Sequence, residues 1–214
     1  MPQNPERTLI IFDFDESLVN ADSDTFVFQS FHPELLQTLE ARHAQNPVWP
    51  SVFDDMHQLL ADEKPAVTMK MVRDHVAQIP IQERMADAIR MAVEEFDADV
   101  KIISDGNTVF IKSVLEHQGL QEHVSEVFTN PAEYETMDNG CRVVESIRKT
   151  QPHSRVIYVG DGVGDFCPST HLTKDDIVCA RADAIDGRSP FVGPLNLYPE
   201  SSFATRGMGD EPLG

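Results

Sequence analysis

Two aspartates stand two residues apart in Ile11-Phe12-Asp13-Phe14-Asp15-Glu16-Ser17-Leu18, directly after an apolar run. A serine and an aspartate follow a second run in Ile102-Ile103-Ser104-Asp105-Gly106-Asn107. Two more aspartates follow a third, in Tyr158-Val159-Gly160-Asp161-Gly162-Val163-Gly164-Asp165. If the runs are parallel strands, Asp13, Asp15, Ser104, Asp161 and Asp165 reach one edge, where ligands of open α/β sheets bind. Four carboxylates there repel one another unless a cation sits among them. Hard oxygen donors without His or Cys select Mg²⁺ over zinc or copper. Within a pair such as Asp13 and Asp15, one carboxylate can attack while the other handles the proton of the leaving group.

The elements that must deliver these groups are legible as patterns. Thr8–Phe12, Val100–Ile103, Val156–Val159 and Asp176–Ala180 are short continuous apolar runs, and Glu126–Phe128 is a weaker one. Such runs suit strands buried on both faces. Helical periodicity over 107–118, with Gly119 as its stop, and over 141–150 alternates with them. The pattern predicts an α/β fold, a Rossmann-like parallel sheet flanked by helices. Between about 25 and 95 the alternation breaks into helical segments near 34–44, 52–62, 68–78 and 82–96, punctuated by prolines. This predicts a helical cap, 25–96, inserted into a catalytic core of 1–24 and 97–185. A Gly-, Pro- and Ser-rich segment, 186–214, reads as irregular.

Composition narrows the function. Seventeen Lys and Arg against 36 Asp and Glu give a formal charge of −19. That field disfavours nucleic acid and anionic lipid. A phosphorylated metabolite as partner therefore needs local correction by a metal and a few cations. Three scattered cysteines, Cys141, Cys167 and Cys179, offer neither a disulfide framework nor a zinc site, and suit a reducing, cytoplasmic setting. The polar N-terminus has no leader pattern, and no apolar stretch reaches the ~20 residues that span a bilayer.

The three motifs, in this order and spacing, resemble the first, second and fourth motifs of the haloacid dehalogenase superfamily. The longer strings Phe12-Asp13-Phe14-Asp15-Glu16, Ser23-Asp24, Ser104-Asp105-Gly106-Asn107-Thr108 and Asp165-Phe166-Cys167-Pro168 resemble its branch of phosphoethanolamine/phosphocholine and pyridoxal-phosphate phosphatases. The resemblance implies Asp13 as nucleophile, forming an aspartyl-phosphate, and Asp15 as general acid and base. It implies Ser104 and Asp105 at the phosphate, and Mg²⁺ on Asp13, the Asp15 carbonyl and Asp161, with Asp165 close by or coordinating. The third-motif cation falls on Arg142, with Lys149 as rival. Ser17 and Gly164 stand where Thr and Asn are common, and the branch's Cys-rich insert before the third motif is absent.

Asp24 and Asp105 also match the branch, and a carboxylate pair beside a phosphate site can hold an ammonium by charge attraction. The plainer alternative has Asp24 capping the first lobe helix and Asp105 tightening the turn before Asn107. Trp49, between Pro47 and Pro50, reads as a packing anchor under a loop rather than a substrate platform. The expected activity is Mg²⁺-dependent hydrolysis of a small phosphomonoester of the phosphoethanolamine, phosphocholine or pyridoxal phosphate type. A phosphoserine-type phosphatase, drawing on Arg73, Arg84 or Arg90, and a non-catalytic metal-binding protein are the alternatives.

Overall fold

The computed structural model describes residues 7–46, 48–82, 84–130, 140–151, 153–162 and 165–181. The segment 186–214, expected to be irregular, lies outside the described residues. Among the described residues, five strands form one parallel sheet: β1 (Thr8–Phe12), β2 (Asp99–Asn107), β3 (Glu126–Asn130), β4 (Arg155–Gly160) and β5 (Ile177–Ala180), in the order β3-β2-β1-β4-β5. The chain moves from β1 to β2 and β3 on one side, then crosses to β4 and β5 on the other. The order thus reverses between β1 and β4, where Phe12 sits opposite Val159. At such a switch point the connections diverge and leave a crevice beyond the strand ends.

Strand β2 is longer than its apolar run. It continues through Ser104 and Asp105 to Asn107, with a register shift against β3 between Ile103 and Asn107. Ser104 and Asp105 therefore lie in the irregular end of a strand, not in a loop beyond it. The irregularity bends the strand's final residues out of the regular ladder. Thr129 Oγ1, donating to the Gly106 carbonyl at 2.7 Å, braces the bend from the neighbouring strand.

Two helices cover the sheet faces. α6 (Thr108–Gln118) starts where Asn107 accepts the N–H groups of Val109 and Phe110, and stops at Gly119, whose φ of 65° suits a residue without a Cβ. It buries Phe110, Ile111, Val114 and Leu115 with Phe12, Val100 and Ile102. α7 (Gly140–Thr150) buries Val143, Val144 and Ile147 with Leu9, Ile11 and Ile103 on the other face. The period-two alternation of β1 and β2 thus feeds two cores. A short α8 (Phe166–Thr170) follows β4.

Among the described residues between β1 and β2 lie five helices: α1 (Ser23–Phe31), α2 (Leu35–Gln45), α3 (Trp49–Glu63), α4 (Met69–Val76) and α5 (Met85–Glu94). Their apolar stripes do not close a separate core. Val27, Phe28, Val52, Met56, Leu60, Val72 and Val76 join the same cluster as Phe12, Phe110 and Ile102.

At the opposite end of the sheet, a buried polar group secures the start of β2. Asp99 accepts from Ser125 Oγ and lies 3.0 Å from His153 Nε2 and 3.4 Å from Lys101 Nζ. Burial alone would raise the Asp99 carboxyl. The Ser125 and His153 bonds and the Lys101 charge outweigh it and hold the group below its ordinary range. A depressed folded pKa contributes stability above the unfolded value, near 4, that is lost as pH falls through the folded value. Asp99→Asn should therefore destabilise the protein by about 1–3 kcal/mol at pH 7, with the difference from the parent narrowing below pH 4. Urea titrations at pH 7 and pH 3.5 check this, and a difference that grows at low pH would refute it.

Candidate active site

The chain leaves β1 at Asp13, whose N–H donates to the Val159 carbonyl at 2.9 Å and so ties the first motif to β4. It then turns tightly. Leu18 and Val19 donate back to the Phe14 carbonyl at 2.9 and 3.1 Å, and Glu16 takes the left-handed conformation with φ 54°. That conformation is costly for a residue with a Cβ and needs support from its surroundings. Here Glu16 N donates to Ala21 O at 3.2 Å, while Arg181, just after β5, donates to the Glu16 carbonyl and carboxylate. Phe14, Leu18 and Val19 are fully buried, which anchors the turn from below.

Three of the expected carboxylates converge. Asp13, Asp161 and Asp165 each offer an oxygen within 4.8 Å of the others, close enough to share one ion. Asp165 is the most constrained: Tyr158 Oη donates to its Oδ1 at 2.8 Å, and the N–H groups of Asp161 and Gly162 donate to Oδ2 at 3.0 and 2.9 Å. Ser17 Oγ donates to Asp161 Oδ1 at 3.0 Å, so the hydroxyl of the first motif holds the fourth. Burial, then the neighbouring Asp165 charge, push the Asp13 carboxyl well above its ordinary range. Burial is also the main reason the Asp165 carboxyl is raised. Such crowding is relieved by protons or by a cation, and an all-carboxylate donor set fits Mg²⁺.

The carboxylate of Asp15 is not in that group. Its Oδ1 accepts the Ser23 N–H at 2.7 Å, where α1 begins. A Cβ built on Gly106 would meet Asp15 Oδ2 at 3.0 Å and Ser104 Oγ at 3.3 Å, so both side chains converge over that glycine. Burial is the largest influence on Asp15 and pushes its pKa up to about 7, against the opposing bond from the Ser23 N–H. A carboxyl poised near neutrality can both give and take a proton.

The remaining expected residues divide. Ser104 is buried and accepts the Gly106 N–H at 3.1 Å, whereas Asp105 is exposed. Asp24 does not cap the first lobe helix, because Asp22 does so by accepting the Thr25 N–H at 2.9 Å. Instead Asp24 is buried in the first turn of α1 and accepts the indole N–H of Trp49 at 2.7 Å. Trp49 is thus more than a packing anchor. Arg142 stands in the first turn of α7, but its side chain lies outside the described residues. Lys149 is exposed near the end of that helix, paired to Glu145 at 2.6 Å. Arg90 donates to the Gln118 carbonyl at 2.8 Å. Sequence reasoning missed Ser17 as a holder of Asp161, Tyr158 as a holder of Asp165, and Arg181 altogether. Only Ser17, a hydroxyl inside the first motif, carried a usable signal.

Comparison with known proteins agrees with this geometry. A family model described as Putative Phosphatase matches residues 8–144 and 136–185. Inorganic pyrophosphatase 2 of Arabidopsis thaliana is 30% identical over 206 residues, covering 81% of this chain and 70% of its own length. Pyridoxal phosphate phosphatase PHOSPHO2 of Mus musculus is 28% identical over 233 residues, covering 96% and 95%. Among solved structures, a substrate-bound phosphoserine phosphatase superposes with a TM-score of 0.59 at 16% identity, covering 82% of this chain and 86% of that one. At that identity the likeness speaks for the fold. The matched residues, the parallel sheet and the carboxylate cluster agree on one assignment: the chain belongs to the Putative Phosphatase family.

Proposed function

We propose that this protein is a Mg²⁺-dependent phosphatase that hydrolyses a small phosphomonoester through an aspartyl-phosphate on Asp13. The observation that carries the proposal is the division of labour among the carboxylates. Asp13 shares a cluster with Asp161 and Asp165, while Asp15 stands apart with a pKa of about 7. Asp13, Asp161 and the Asp15 carbonyl, with Asp165 beside them, would hold Mg²⁺, which would supply charge neutralisation for the phosphoryl oxygens and the nucleophile.

In the first half-reaction an oxygen of Asp13 forms a bond to phosphorus as the phosphorus–alkoxide bond breaks, and Asp15 gives its proton to the leaving alcohol. In the second, water attacks phosphorus, Asp15 takes its proton, and the Asp13–phosphorus bond breaks to release inorganic phosphate. Ser104 donates to a phosphoryl oxygen, Asp105 lies at the same end of β2, and Arg142 supplies the phosphate-site cation. Lys149, paired to Glu145, is the weaker candidate. Residues 25–96 serve as the cap over this site and 1–24 with 97–185 as the catalytic core.

The substrate in this proposal is of the phosphoethanolamine, phosphocholine or pyridoxal phosphate type, recognised through Asp24 and Asp105. Its support is the pyridoxal phosphate phosphatase at 28% identity and the burial of Asp24 beside the site. A cytoplasmic setting fits the free thiol of Cys179. Among the described residues, no helix is long and apolar enough to cross a membrane.

Phosphate release from these substrates, from phosphoserine, from p-nitrophenyl phosphate and from inorganic pyrophosphate, with and without Mg²⁺, tests the proposal. Turnover should require Mg²⁺ and fall by about a thousandfold or more in Asp13→Asn. Undiminished release by that variant would discard Asp13 as nucleophile. A second prediction concerns the metal. A Cβ on Gly160 would come within 2.5 Å of Asp165 Oδ2, and must displace that carboxylate. Gly160→Ala should weaken Mg²⁺ binding, read by calorimetry, by about ten- to a hundredfold. An affinity equal to the parent's would remove Asp165 from the metal's surroundings.

A further inference from the structure

The first turn of α1 holds two oxygen atoms that the fold does not use. Asp24 Oδ1 and Ser23 Oγ are buried without a hydrogen-bond partner, in residues 5% and 0% exposed. Neither side chain has a helical task, since Asp22 caps α1. Ser23 contributes its backbone N–H to Asp15, which sets this turn directly beside the proposed general acid. Buried polar atoms left unpaired cost stability and call for an explanation by a ligand or an ordered water.

Asp24 is nevertheless held firmly. Its other oxygen, Oδ2, accepts the Trp49 indole N–H at 2.7 Å, across 25 positions of sequence. The ring is itself fixed: it lies nearly parallel to Phe53, with centroids 6.4 Å apart and an interplanar angle of 20°, and His43 meets it edge-on at 5.0 Å. Trp49 donates from this rigid setting and leaves one carboxylate oxygen open. Asp15, Asp22 and Asp105 lie near enough for their charges to act on Asp24. A buried carboxylate oxygen without a partner, an adjacent hydroxyl and an excess of negative charge suit a cationic donor.

We propose that Trp49 is a specificity-determining positioning residue, fixing Asp24 so that Asp24 Oδ1 and Ser23 Oγ receive the donor hydrogens of a protonated amine on the leaving alcohol. This rests on the phosphatase reading above and deepens it. It assigns the discrimination between charged and neutral leaving groups to a contact between α1 and α3.

The test compares phosphoethanolamine with propyl phosphate, which replaces the ammonium by a methyl group at nearly the same size. Dissociation constants are measured by calorimetry with Mg²⁺ in the Asp13→Asn background, so binding is read without turnover. The ligand with the ammonium should bind more tightly, and Trp49→Phe should reduce that preference by about tenfold. In an Asp24→Asn background the same Trp49→Phe change should shift it by less than about twofold, because the effect runs through Asp24. An equal loss in both backgrounds overturns the proposal, as does no preference in the Asp13→Asn protein. If Trp49→Phe fails to fold by circular dichroism, Asp24→Asn alone must abolish the preference, and its survival overturns the proposal as well. Turnover of p-nitrophenyl phosphate by the unmodified protein reads the phosphatase assignment separately.

Discussion

The constraint on which the rest depends is the mutual repulsion of carboxylates in a partly buried space. Asp13, Asp161 and Asp165 are held within 4.8 Å of one another, and burial raises the energy of the negative charges on Asp13 and Asp165. Left to itself such a group would spread apart or move into solvent. The protein prevents this by committing backbone and hydroxyl donors to it. Asp165 alone receives two backbone N–H groups and the Tyr158 hydroxyl, and Asp161 receives Ser17. Donors of this kind lower the energy of the charged forms without neutralising them. The arrangement therefore keeps a standing demand for positive charge at a fixed place.

Sheet topology makes this geometry attainable with short connections. Because β1 and β4 are neighbours, Asp13 and Asp161 leave adjacent strand ends and need no long loop to meet. The N–H of Asp13 bonding to Val159 fixes their relative height. Glu16 reverses the chain at once, and the buried Phe14, Leu18 and Val19 fasten the reversal into the core. A conformation that costs energy locally is sustained by packing on one side and by Arg181 on the other.

What could be read in advance follows from which interactions are local. Short apolar runs ending in aspartate gave the strands, the parallel sheet and the edge on which Asp13, Ser104 and Asp161 gather. Asn107 and Gly119, as start and stop of α6, are local signals too. The extension of β2 through Ser104 was not visible, because polar residues at a bent strand end carry no strand signature. Tyr158 looked like one more apolar strand residue, and its hydroxyl acquires a role only when the loop after β4 folds back over it. The bond between Trp49 and Asp24 joins positions 25 apart, and nothing in the spacing announces it. Asp24 looked like a cap because Asp22, two residues earlier, is chemically identical.

The helices between β1 and β2 bear on the chemistry through packing rather than through charged side chains. Phe53 and His57 of α3 both contact Phe110 of α6, with ring centroids 6.2 and 6.1 Å apart, and Phe28 of α1 contacts Phe53 and His57. Phe110 lies three residues beyond Asn107, which ends the strand bearing Ser104. The buried residues of the turn after β1, Phe14, Leu18 and Val19, belong to the same cluster as Val52 and Met56 of α3. Close-packed interiors transmit displacement because they lack room to absorb it. Trp49, the turn carrying Asp13 and Asp15, and the end of β2 therefore rest on one shared core, through which a change in the packing of α3 reaches all three.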